Sequence, residues 1–487
     1  MTTFWGETLN YALIAQILGR MIAVEAGLMV LPAGVCLIYG ESPLPFVPPI
    51  LFAALLGGLL WRIKPKNQEL FAREGFAIVA LSWIVLSLIG AVPFVLSGDI
   101  PRYVDALFET VSGFTTTGST ILTDVEAMGY GCQFWRCFTH WVGGMGVLVF
   151  MMAVLPMSGE YSMHIMRAEM PGPVIGKLVP RARKTAEILY KIYIAMTLVE
   201  VVLLLFGGMD LFDALIHSFG TAGTGGFSNR GASIGAYNSV YIEMVIAVFM
   251  ALFGINFNLY FFLLMGRPKE ALKNRELWLY WGIIAFASVT MALSAAPQVG
   301  GFLQGLRYSF FTVSSVITTT GFATTDYNLW PEYCRFLVVL VTFCGACAGS
   351  TGGGMKVSRL MILGGSARNE IARLIRPRSV RKVRLEGSVV EDKTVLCAQV
   401  FFFLYIVIIL FSALVVSLDG FDFTTNFTAA LTCVSNVGPG LNVVGPAGNF
   451  AAFSDLSKLV LTMDMLLGRL EIFPVLILFV PRLWKKA

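Results

Sequence analysis

Charged residues are scarce in this chain, and histidine is scarcer still. Only 13% of the 487 residues are charged, whereas 56% are hydrophobic; a soluble domain carries about 25% charged residues. This balance argues against a soluble protein. The three histidines and one CxxC pair, Cys344 and Cys347, do not complete a zinc site. We interpret the CxxC as small-residue helix packing, with a redox or metal pair as the alternative.

Long apolar runs take the place of the missing charge. Phe401–Leu410 reads FFFLYIVIIL, and a run of about 20 such residues spans the hydrocarbon core as a helix. The first ten residues lack the basic start of a cleavable signal peptide, and the apolar run after them is of full membrane length. The composition therefore predicts an all-α, polytopic membrane protein.

The basic residues are distributed unevenly along the chain. They concentrate in the segments 62–73, 167–184, 267–275, 368–393 and 482–486, while acidic residues occupy the loops between. The positive-inside rule places the basic segments, and with them both termini, in the cytoplasm. Since this rule accounts for the basic stretches, no nucleic-acid partner is expected.

The order of long and short apolar segments repeats four times after two leading helices. We predict those leading helices at 12–39 and 43–63. The helix pairs that follow are predicted at 75–97 with 131–156, 186–208 with 237–265, 276–296 with 332–363, and 394–418 with 454–480. The corresponding units are 1–66 for the leading helices and 67–165, 166–270, 271–370 and 371–487 for the four repeats. This organisation gives ten spanning helices and matches a tetrameric cation channel folded into one chain.

Between the helices of each pair lies a half-length segment that ends in a loop with a glycine. The loops read TTTGS, GTGGF, TTTGF and SNVGP. The candidate ion-binding residues are Thr115, Thr116, Thr117, Gly118, Gly223, Thr224, Gly225, Gly226, Thr318, Thr319, Thr320, Gly321, Ser435, Asn436, Val437 and Gly438.

These loops suit a potassium pore because potassium filters replace the water shell of the ion with backbone carbonyls. Pointing successive carbonyls at one axis demands backbone angles that glycine reaches without steric cost. Irregular backbone at membrane depth is tolerated only where protein buries it or it lines a wet cavity. The alternative, that the glycines serve only helix packing or turns, fits one such loop better than four in equivalent positions.

With these four loops and the two leading helices, the whole chain resembles the Trk/Ktr/HKT superfamily of potassium transporters, in its bacterial TrkH-like branch. The resemblance implies a filter with one glycine per loop. It also implies selectivity for potassium and rubidium, because some sodium-favouring plant relatives carry serine where this chain has Gly118. The fourth loop departs from the threonine pattern, so Asn436 is expected to bind differently.

The resemblance extends to assembly and location. It implies a homodimer in the bacterial cytoplasmic (inner) membrane. It also implies a ring of TrkA-like, nucleotide-binding regulatory subunits on the cytoplasmic face, and K⁺ without an organic cofactor. The basic segments 167–184 and 368–393 are plausible docking surfaces for that ring, although anionic lipid explains them nearly as well.

A run of glycines interrupts the second helix of the third unit. Three successive glycines, each costing about 1 kcal/mol relative to alanine, break a helix, and discontinuous helices mark ion pathways. The sequence GSTGGGMK is not a phosphate-binding loop, since a methionine separates glycine from lysine and no strand precedes it. The resemblance implies a gating loop here, and a packing kink is the alternative. The candidate gate residues are Gly345, Gly349, Ser350, Thr351, Gly352, Gly353, Gly354 and Arg469.

Arg469 lies about 22 Å along the last helix. At that depth an ionisable residue faces the interior or a wet cavity, and the resemblance implies an electrostatic barrier in the pore; snorkelling is the alternative. We expect Lys356 and Arg359 to snorkel to the cytoplasm and Glu471 to be no evident partner of Arg469. Asn256 and Asn258 either bond between helices or line the inner vestibule.

Two other functions compete with gated potassium uptake. A sodium-permeable or ion-coupled carrier of the same fold would pass sodium as readily as potassium. An intramembrane enzyme would need paired carboxylates, a His/Glu metal cluster or a Ser/Lys dyad within helices. The sequence shows none of these, and its ionisable residues at depth look few and unpaired, which favours conduction over catalysis.

Overall fold

The computed structural model describes residues 9–65, 72–146, 182–378, 381–386 and 388–481. In these ranges the chain is mostly helical, with one pair of two-residue antiparallel strands, β1 (Arg384–Leu385) and β2 (Ser388–Val389). The predicted basic tail 482–486 and nearly all of the basic segment 167–184 lie outside the described residues.

The helices follow the chain in this order. The first half contains α1 (Tyr11–Ile38), α2 (Val47–Trp61), α3 (Ala72–Gly90), α4 (Val92–Ser97), α5 (Tyr103–Phe114), α6 (Tyr130–Gly144), α7 (Ala182–Phe206), α8 (Leu211–Gly223), α9 (Val240–Phe253) and α10 (Phe257–Leu264). The second half contains α11 (Pro268–Leu272), α12 (Arg275–Ala295), α13 (Phe302–Ile317), α14 (Glu332–Cys344), α15 (Val357–Ile375), α16 (Asp392–Val416), α17 (Phe423–Ser435), α18 (Asp455–Arg469) and α19 (Phe473–Leu478).

Several of these helices are long and apolar enough to cross a membrane. Five pass by length and composition, and a sixth does so if the bent pair α9 and α10 counts as one span. Large apolar side chains such as Phe403 and Leu414 on α16 stay exposed on their outer faces, where lipid rather than water accounts for them. The prediction of a helical membrane protein is confirmed at this level.

Two helices predicted as continuous are broken. The predicted helix 237–265 is α9 and α10, which meet at 90°, with Asn256 capping α10 by accepting a hydrogen bond from the Asn258 N–H. The predicted helix 454–480 is α18 and α19, separated by Glu471 and Ile472 at positive φ. Both predictions of an unbroken helix are wrong, because a side-chain cap starts a new helix at the first break and two residues at positive φ interrupt the helix at the second.

The predicted helix 332–363 carries an expected interruption, and the predicted helix 131–156 lies only partly within the described residues. The interruption predicted from the glycine run is present, since α14 ends at Cys344 and α15 begins only at Val357. The predicted helix 131–156 corresponds to α6, which ends at Gly144, and residues 147–181 lie outside the described ranges.

Four half-length helices, α5, α8, α13 and α17, precede the four glycine loops. Each packs against neighbouring helices: α5 on α3, α6 and α18, α8 on α6 and α7, α13 on α9 and α12, and α17 on α16 and α18. Their last two turns are buried, apart from the partly buried Phe219 on α8. The loops that follow are therefore enclosed by protein, as irregular backbone at membrane depth requires.

Candidate functional site

The four loops share one backbone conformation. Two residues before each glycine stands a non-glycine residue at positive φ: Thr116 (54°), Thr224 (55°), Thr319 (60°) and Asn436 (56°). The glycines themselves have positive φ: Gly118 (81°), Gly226 (77°), Gly321 (86°) and Gly438 (93°). A left-handed residue ends a helix, and the second left-handed position is one that glycine alone adopts freely.

Each loop is closed onto its helix by the same hydrogen bond. The N–H before each glycine donates to a carbonyl five residues earlier; the pairs are Thr117–Ser112 (2.8 Å), Gly225–Gly220 (2.8 Å), Thr320–Ser315 (2.8 Å) and Val437–Thr432 (2.9 Å). The carboxyl ends of four helices thus lead directly into the loops. Because a helix carries partial negative charge at that end, the loops are an electrostatically favourable place for a cation.

The loops also contact one another in a closed cycle. A Cβ on each glycine would overlap a carbonyl oxygen of the next loop; these pairs are Gly118 with Gly225, Gly226 with Thr320, Gly321 with Val437, and Gly438 with Thr117. The fourth contact returns to the first loop, so the four loops surround one axis. All four glycines line a single cavity of about 120 Å³ at one end of this axis.

The side chains of the loops are not equivalent. In the first and third loops two threonine hydroxyls bond at 2.8 Å, Thr115 to Thr117 and Thr318 to Thr320. In the fourth loop the Asn436 amide donates instead to the Thr117 hydroxyl (2.9 Å) and to the carbonyl of Met465 (2.9 Å). Asn436 therefore ties the fourth loop to the first and to α18.

A buried histidine supports the second loop. A Cβ at Gly225 would overlap the ring of His140, which therefore fills the space that a side chain would take there. Its Nδ1 lies 2.7 Å from the Gly113 carbonyl, and its Nε2 lies 3.2 Å from the Phe227 N–H. Since Nε2 accepts from an N–H, the ring must donate from Nδ1. His140 thus joins the end of α5 to the second loop, a role that no motif in the sequence predicted.

A buried ion pair braces the outer part of the first two loops. The Glu109 carboxylate accepts from Arg136 (2.6 Å), from the Thr120 hydroxyl (2.8 Å) and from the N–H of Ile121 (2.9 Å). The two charged side chains are 0% and 2% exposed, and the guanidinium lies 3.6 Å from the ring centre of Phe227. The expectation that ionisable residues at depth are unpaired is therefore wrong.

The interrupted segment 345–354, here called the inner loop, lies directly under the third and fourth glycine loops. The Gly353 N–H donates to the Thr319 hydroxyl at 2.7 Å. A Cβ on Gly352 would lie 2.8 Å from the Thr318 carbonyl, and one on Gly353 would lie 2.7 Å from the Ser435 carbonyl. These close approaches leave no room for a side chain, which explains why glycines stand at these two positions.

Two other elements anchor the inner loop from the side. One carboxylate oxygen of Glu276, on α12, accepts from the N–H groups of Ala348 (2.8 Å) and Ser358 (2.9 Å), one on each flank of the glycine run. The Gly349 carbonyl accepts from the N–H of Phe257 at 3.0 Å, inside the break between α9 and α10. The nearby Asn256 also lies against Gly349. Glu276 was missed from the sequence because its partners are backbone groups of a distant segment.

Arg469, at the end of α18, faces the interior as expected. Its guanidinium donates to the carbonyls of Thr351 (2.7 Å), Gly143 (2.5 Å) and Gly144 (2.7 Å). One cation therefore joins the inner loop to the end of α6. Snorkelling to the cytoplasmic surface is excluded by these contacts.

Lys356 and Arg359 do not snorkel, contrary to the sequence prediction. The Lys356 side chain turns back into the protein, where its ammonium donates to the Gly352 carbonyl, and only 1% of the residue is exposed. The Arg359 guanidinium pairs with Glu471 and lies 4.0 Å from the ring centre of Phe401. Both cations bind inward because the broken helices supply carbonyl and carboxylate partners at closer range than the surface.

Three non-glycine residues beside the inner loop have strained backbones. Lys356, Glu471 and Ile472 have φ of 72°, 57° and 66°, and such conformations cost on the order of 1–3 kcal/mol each. The cost is greatest for a β-branched residue such as Ile472. Strain of this kind persists only where the surroundings enforce it. Contacts around these three residues therefore hold the helix breaks in their strained conformation.

No metal cluster accompanies this arrangement in the described ranges, where no three histidine, cysteine, aspartate or glutamate side chains are grouped as ligands. Cys344 and Cys347 are both free thiols. The chemistry that these residues offer is therefore that of carbonyl oxygens around an axis, with fixed cations beneath them.

Comparison with known proteins agrees with this geometry. The sequence model of the TrkH family, described as "Cation transport protein", matches residues 46–290 and 298–486. The chain is 37% identical over 486 residues to the Trk system potassium uptake protein TrkH of Escherichia coli K12, covering 98% of this chain and 100% of that protein. It is 34% identical over 486 residues to TrkG of the same organism, with the same coverage.

A solved structure has the same fold. The crystal structure of the potassium transporter TrkH from Vibrio parahaemolyticus superposes with a TM-score of 0.88 at 32% identity, over 98% of this chain and 100% of that one. Neither the family nor the geometry is that of an enzyme. The chain belongs to the TrkH family of cation transport proteins.

Proposed function

We propose that this chain is the membrane pore of a potassium uptake system and conducts K⁺, and Rb⁺, down the electrochemical gradient. The observation that carries the proposal is the closed cycle of glycine–carbonyl contacts, which sets four loops around one axis. The relatives are a potassium uptake protein and a potassium transporter, which supports potassium as the ion.

The pore has four pseudo-symmetric repeats, 67–165, 166–270, 271–370 and 371–487, after two leading helices in 1–66. Support comes from the loops, which repeat the same two positive φ angles at the same spacing and the same hydrogen bond. Half-helices precede all four of them. The repeats surround one pathway in the bacterial cytoplasmic membrane, with both termini in the cytoplasm.

The filter comprises residues 115–118, 223–226, 318–321 and 435–438. A potassium ion entering it exchanges water for carbonyl oxygens, and the helix ends behind the loops add favourable potential. Gly118 contributes by its missing side chain, because any Cβ there meets the Gly225 carbonyl. Selectivity then follows from carbonyls that the glycine contacts hold at fixed positions.

The gate comprises the inner loop and Arg469. The inner loop obstructs the pathway because it lies against Thr318, Thr319 and Ser435 at the inner end of the filter. The Arg469 guanidinium adds a fixed positive charge that repels a cation across a short distance in a medium of low dielectric constant. Opening requires the inner loop to leave the filter and Arg469 to release the Thr351 carbonyl.

Control comes from the cytoplasm, through a ring of TrkA-like nucleotide-binding subunits, on a homodimer of this chain. The end of α15 offers a surface for such a partner, since Ile371, Leu374 and Ile375 are exposed on one side of the helix. Arginines from the segment 368–393 flank them, so an acidic and apolar partner would fit. Membrane lipid is the competing occupant of this surface.

Rubidium and sodium fluxes into liposomes containing the purified chain test the proposed function. We expect rubidium uptake to exceed sodium uptake by at least about tenfold, which corresponds to about 1.4 kcal/mol of discrimination. Equal fluxes would point to a sodium-permeable carrier of the same fold. Deletion of Gly352–Gly354 should raise rubidium uptake without changing the ratio, and an unchanged rate would remove the gate assignment.

A further inference from the structure

Two helix breaks meet beneath the filter, and only one of them belongs to the inner loop. The first ends at Lys356, just before α15 begins. The second lies at Glu471 and Ile472, between α18 and α19. Met355 from the first and Ile472 from the second are buried in the same apolar cluster, together with Phe401 and Tyr405. The two breaks therefore pack on each other, although more than a hundred residues separate them.

One ion pair joins the breaks. The Arg359 guanidinium binds a carboxylate oxygen of Glu471, and the two side chains are 7% and 23% exposed. Arg359 also donates to the Met355 carbonyl at 3.3 Å and packs on the ring of Phe401. A planar guanidinium fixed on three sides holds its carboxylate in one direction. The pair thus fixes Glu471 relative to the end of the inner loop.

The backbone that this pair holds is strained. Glu471 and Ile472 both have positive φ, and Ile472 is fully buried, so its side chain cannot turn outward to relieve the conformation. Successive N–H groups of Ile472 and Phe473 close the turn on Leu467 and Glu471 at 2.7 Å each. A non-glycine pair in this region persists only where surrounding contacts enforce it, and Arg359 provides such a contact.

We infer that the Arg359–Glu471 pair is a latch that holds the break between α18 and α19 against the inner loop and so keeps the gate closed. This inference rests on the proposed function. When the latch opens, the strained turn at Glu471 and Ile472 relaxes, and Arg469, two residues earlier, shifts away from the Thr351 carbonyl. Arg359 and Glu471 are positioning residues: they act through Arg469 and the inner loop and do not contact the ion.

The latch predicts two variants with opposite effects. Glu471→Gln removes the charge and keeps the volume, so the closed arrangement loses the ion pair that stabilises it. Rubidium uptake should rise on the order of fivefold, within the range of coupling between contacting residues. Ile472→Gly removes strain from the closed arrangement without touching the ion pair, so uptake should fall by a similar factor. A residue with a merely structural role would not move the rate in both directions.

The experiment measures rubidium uptake, the rubidium-to-sodium ratio and the thermal unfolding midpoint of the full chain in liposomes. Glu187→Gln is the matched control, because it breaks the exposed Glu187–Lys191 pair on α7 and should leave uptake unchanged. Arg359→Gln should reproduce the Glu471→Gln rate, and the double variant should add nothing further, since both changes remove one interaction.

The outcomes separate the latch from the proposed function. A wild-type chain without selective rubidium uptake overturns the proposed function itself. Selective wild-type uptake with an unchanged Glu471→Gln rate, or with Ile472→Gly raising uptake, overturns the latch alone. If Glu471→Gln fails to fold, Arg359→Gln decides, since it removes the same ion pair from the other side: a raised rate supports the latch, and a wild-type rate contradicts it.

Discussion

The four glycine loops and the inner loop are both irregular backbone at membrane depth, yet they are stabilised in different ways. The glycine loops share one backbone pattern, with the same hydrogen bond and the same φ angles in all four. The inner loop repeats no such pattern and, besides its backbone bonds, is held by charged side chains from different elements: Glu276, Lys356 and Arg469. A structure built from repeated backbone is rigid, whereas one held by individual charged contacts can be released contact by contact. The difference suits the first to selection and the second to gating.

The largest effect on stability should follow from removing the brace of the glycine loops. Glu109→Leu leaves the Arg136 guanidinium buried without its counter-charge, which costs about 3–5 kcal/mol. Thermal unfolding of the purified chain measures this loss. The double variant Glu109→Leu with Arg136→Leu should recover most of it, because no uncompensated charge then remains. A single variant as stable as the wild type would show that the pair does not brace the loops.

Breaking the glycine ring should next affect selectivity. Gly118→Ser places a side chain against the Gly225 carbonyl at a φ of 81°, a left-handed position that costs roughly 1–2 kcal/mol. We expect the rubidium-to-sodium flux ratio to fall about tenfold. Gly98→Ser is the control, since Gly98 has a φ of 84° but open space around it. If both variants kept the wild-type ratio, the assignment of the filter would be wrong.

A change at the inner loop should alter rate without altering selectivity. Arg469→Gln loses the charge and weakens the bonds to the carbonyls of Thr351, Gly143 and Gly144. Rubidium uptake should rise about threefold to tenfold, or about 0.7–1.4 kcal/mol, which is less than the roughly 1.5–3 kcal/mol that one hydrogen bond to a charged group contributes. The ratio to sodium should stay constant. A changed ratio would mean that the two regions are not separate, and Arg102→Gln, at an exposed surface pair, controls for charge loss alone.

The smallest effect is expected at Asn436, where the fourth glycine loop meets the inner loop. Asn436→Ser removes two hydrogen bonds, to the Thr117 hydroxyl and to the Met465 carbonyl, each worth about 1 kcal/mol. We expect a modest loss of thermal stability and a shift of the flux ratio of less than about threefold. A larger shift would indicate that the Asn436 amide binds the ion directly.

The positions of the glycine loops could be predicted because their signals are local. A half-length apolar segment, then threonine and glycine, recurs at each loop, and the left-handed angle at Gly118 or Gly321 needs glycine itself. The interruption in the third unit was predictable for the same reason, since Gly352, Gly353 and Gly354 follow one another. Apolar length likewise predicted the long helices, such as α1 and α16.

The contacts that hold the inner loop could not be predicted, because they join distant parts of the chain. Glu471 binds Arg359, 112 residues away, and Arg469 binds the Gly143 carbonyl, 326 residues away. Spacing along one helix suggested only that Glu471 was no evident partner of Arg469, and a position near the cytoplasm suggested that Arg359 reached the surface. The break at Glu471 and Ile472 carries no glycine or proline of its own; Pro474, in the first turn of α19, is a local signal of a helix start, but it does not indicate two residues at positive φ.

The central claim is that four glycine loops form a potassium-selective pore, and the reversal potential under opposed potassium and sodium solutions tests it most directly. The chain, reconstituted in a planar bilayer with the gate released by Arg469→Gln, should reverse close to the potassium equilibrium potential. The same background with Gly118→Ser should move the reversal potential toward zero. A reversal potential near zero before Gly118 is changed would contradict the account.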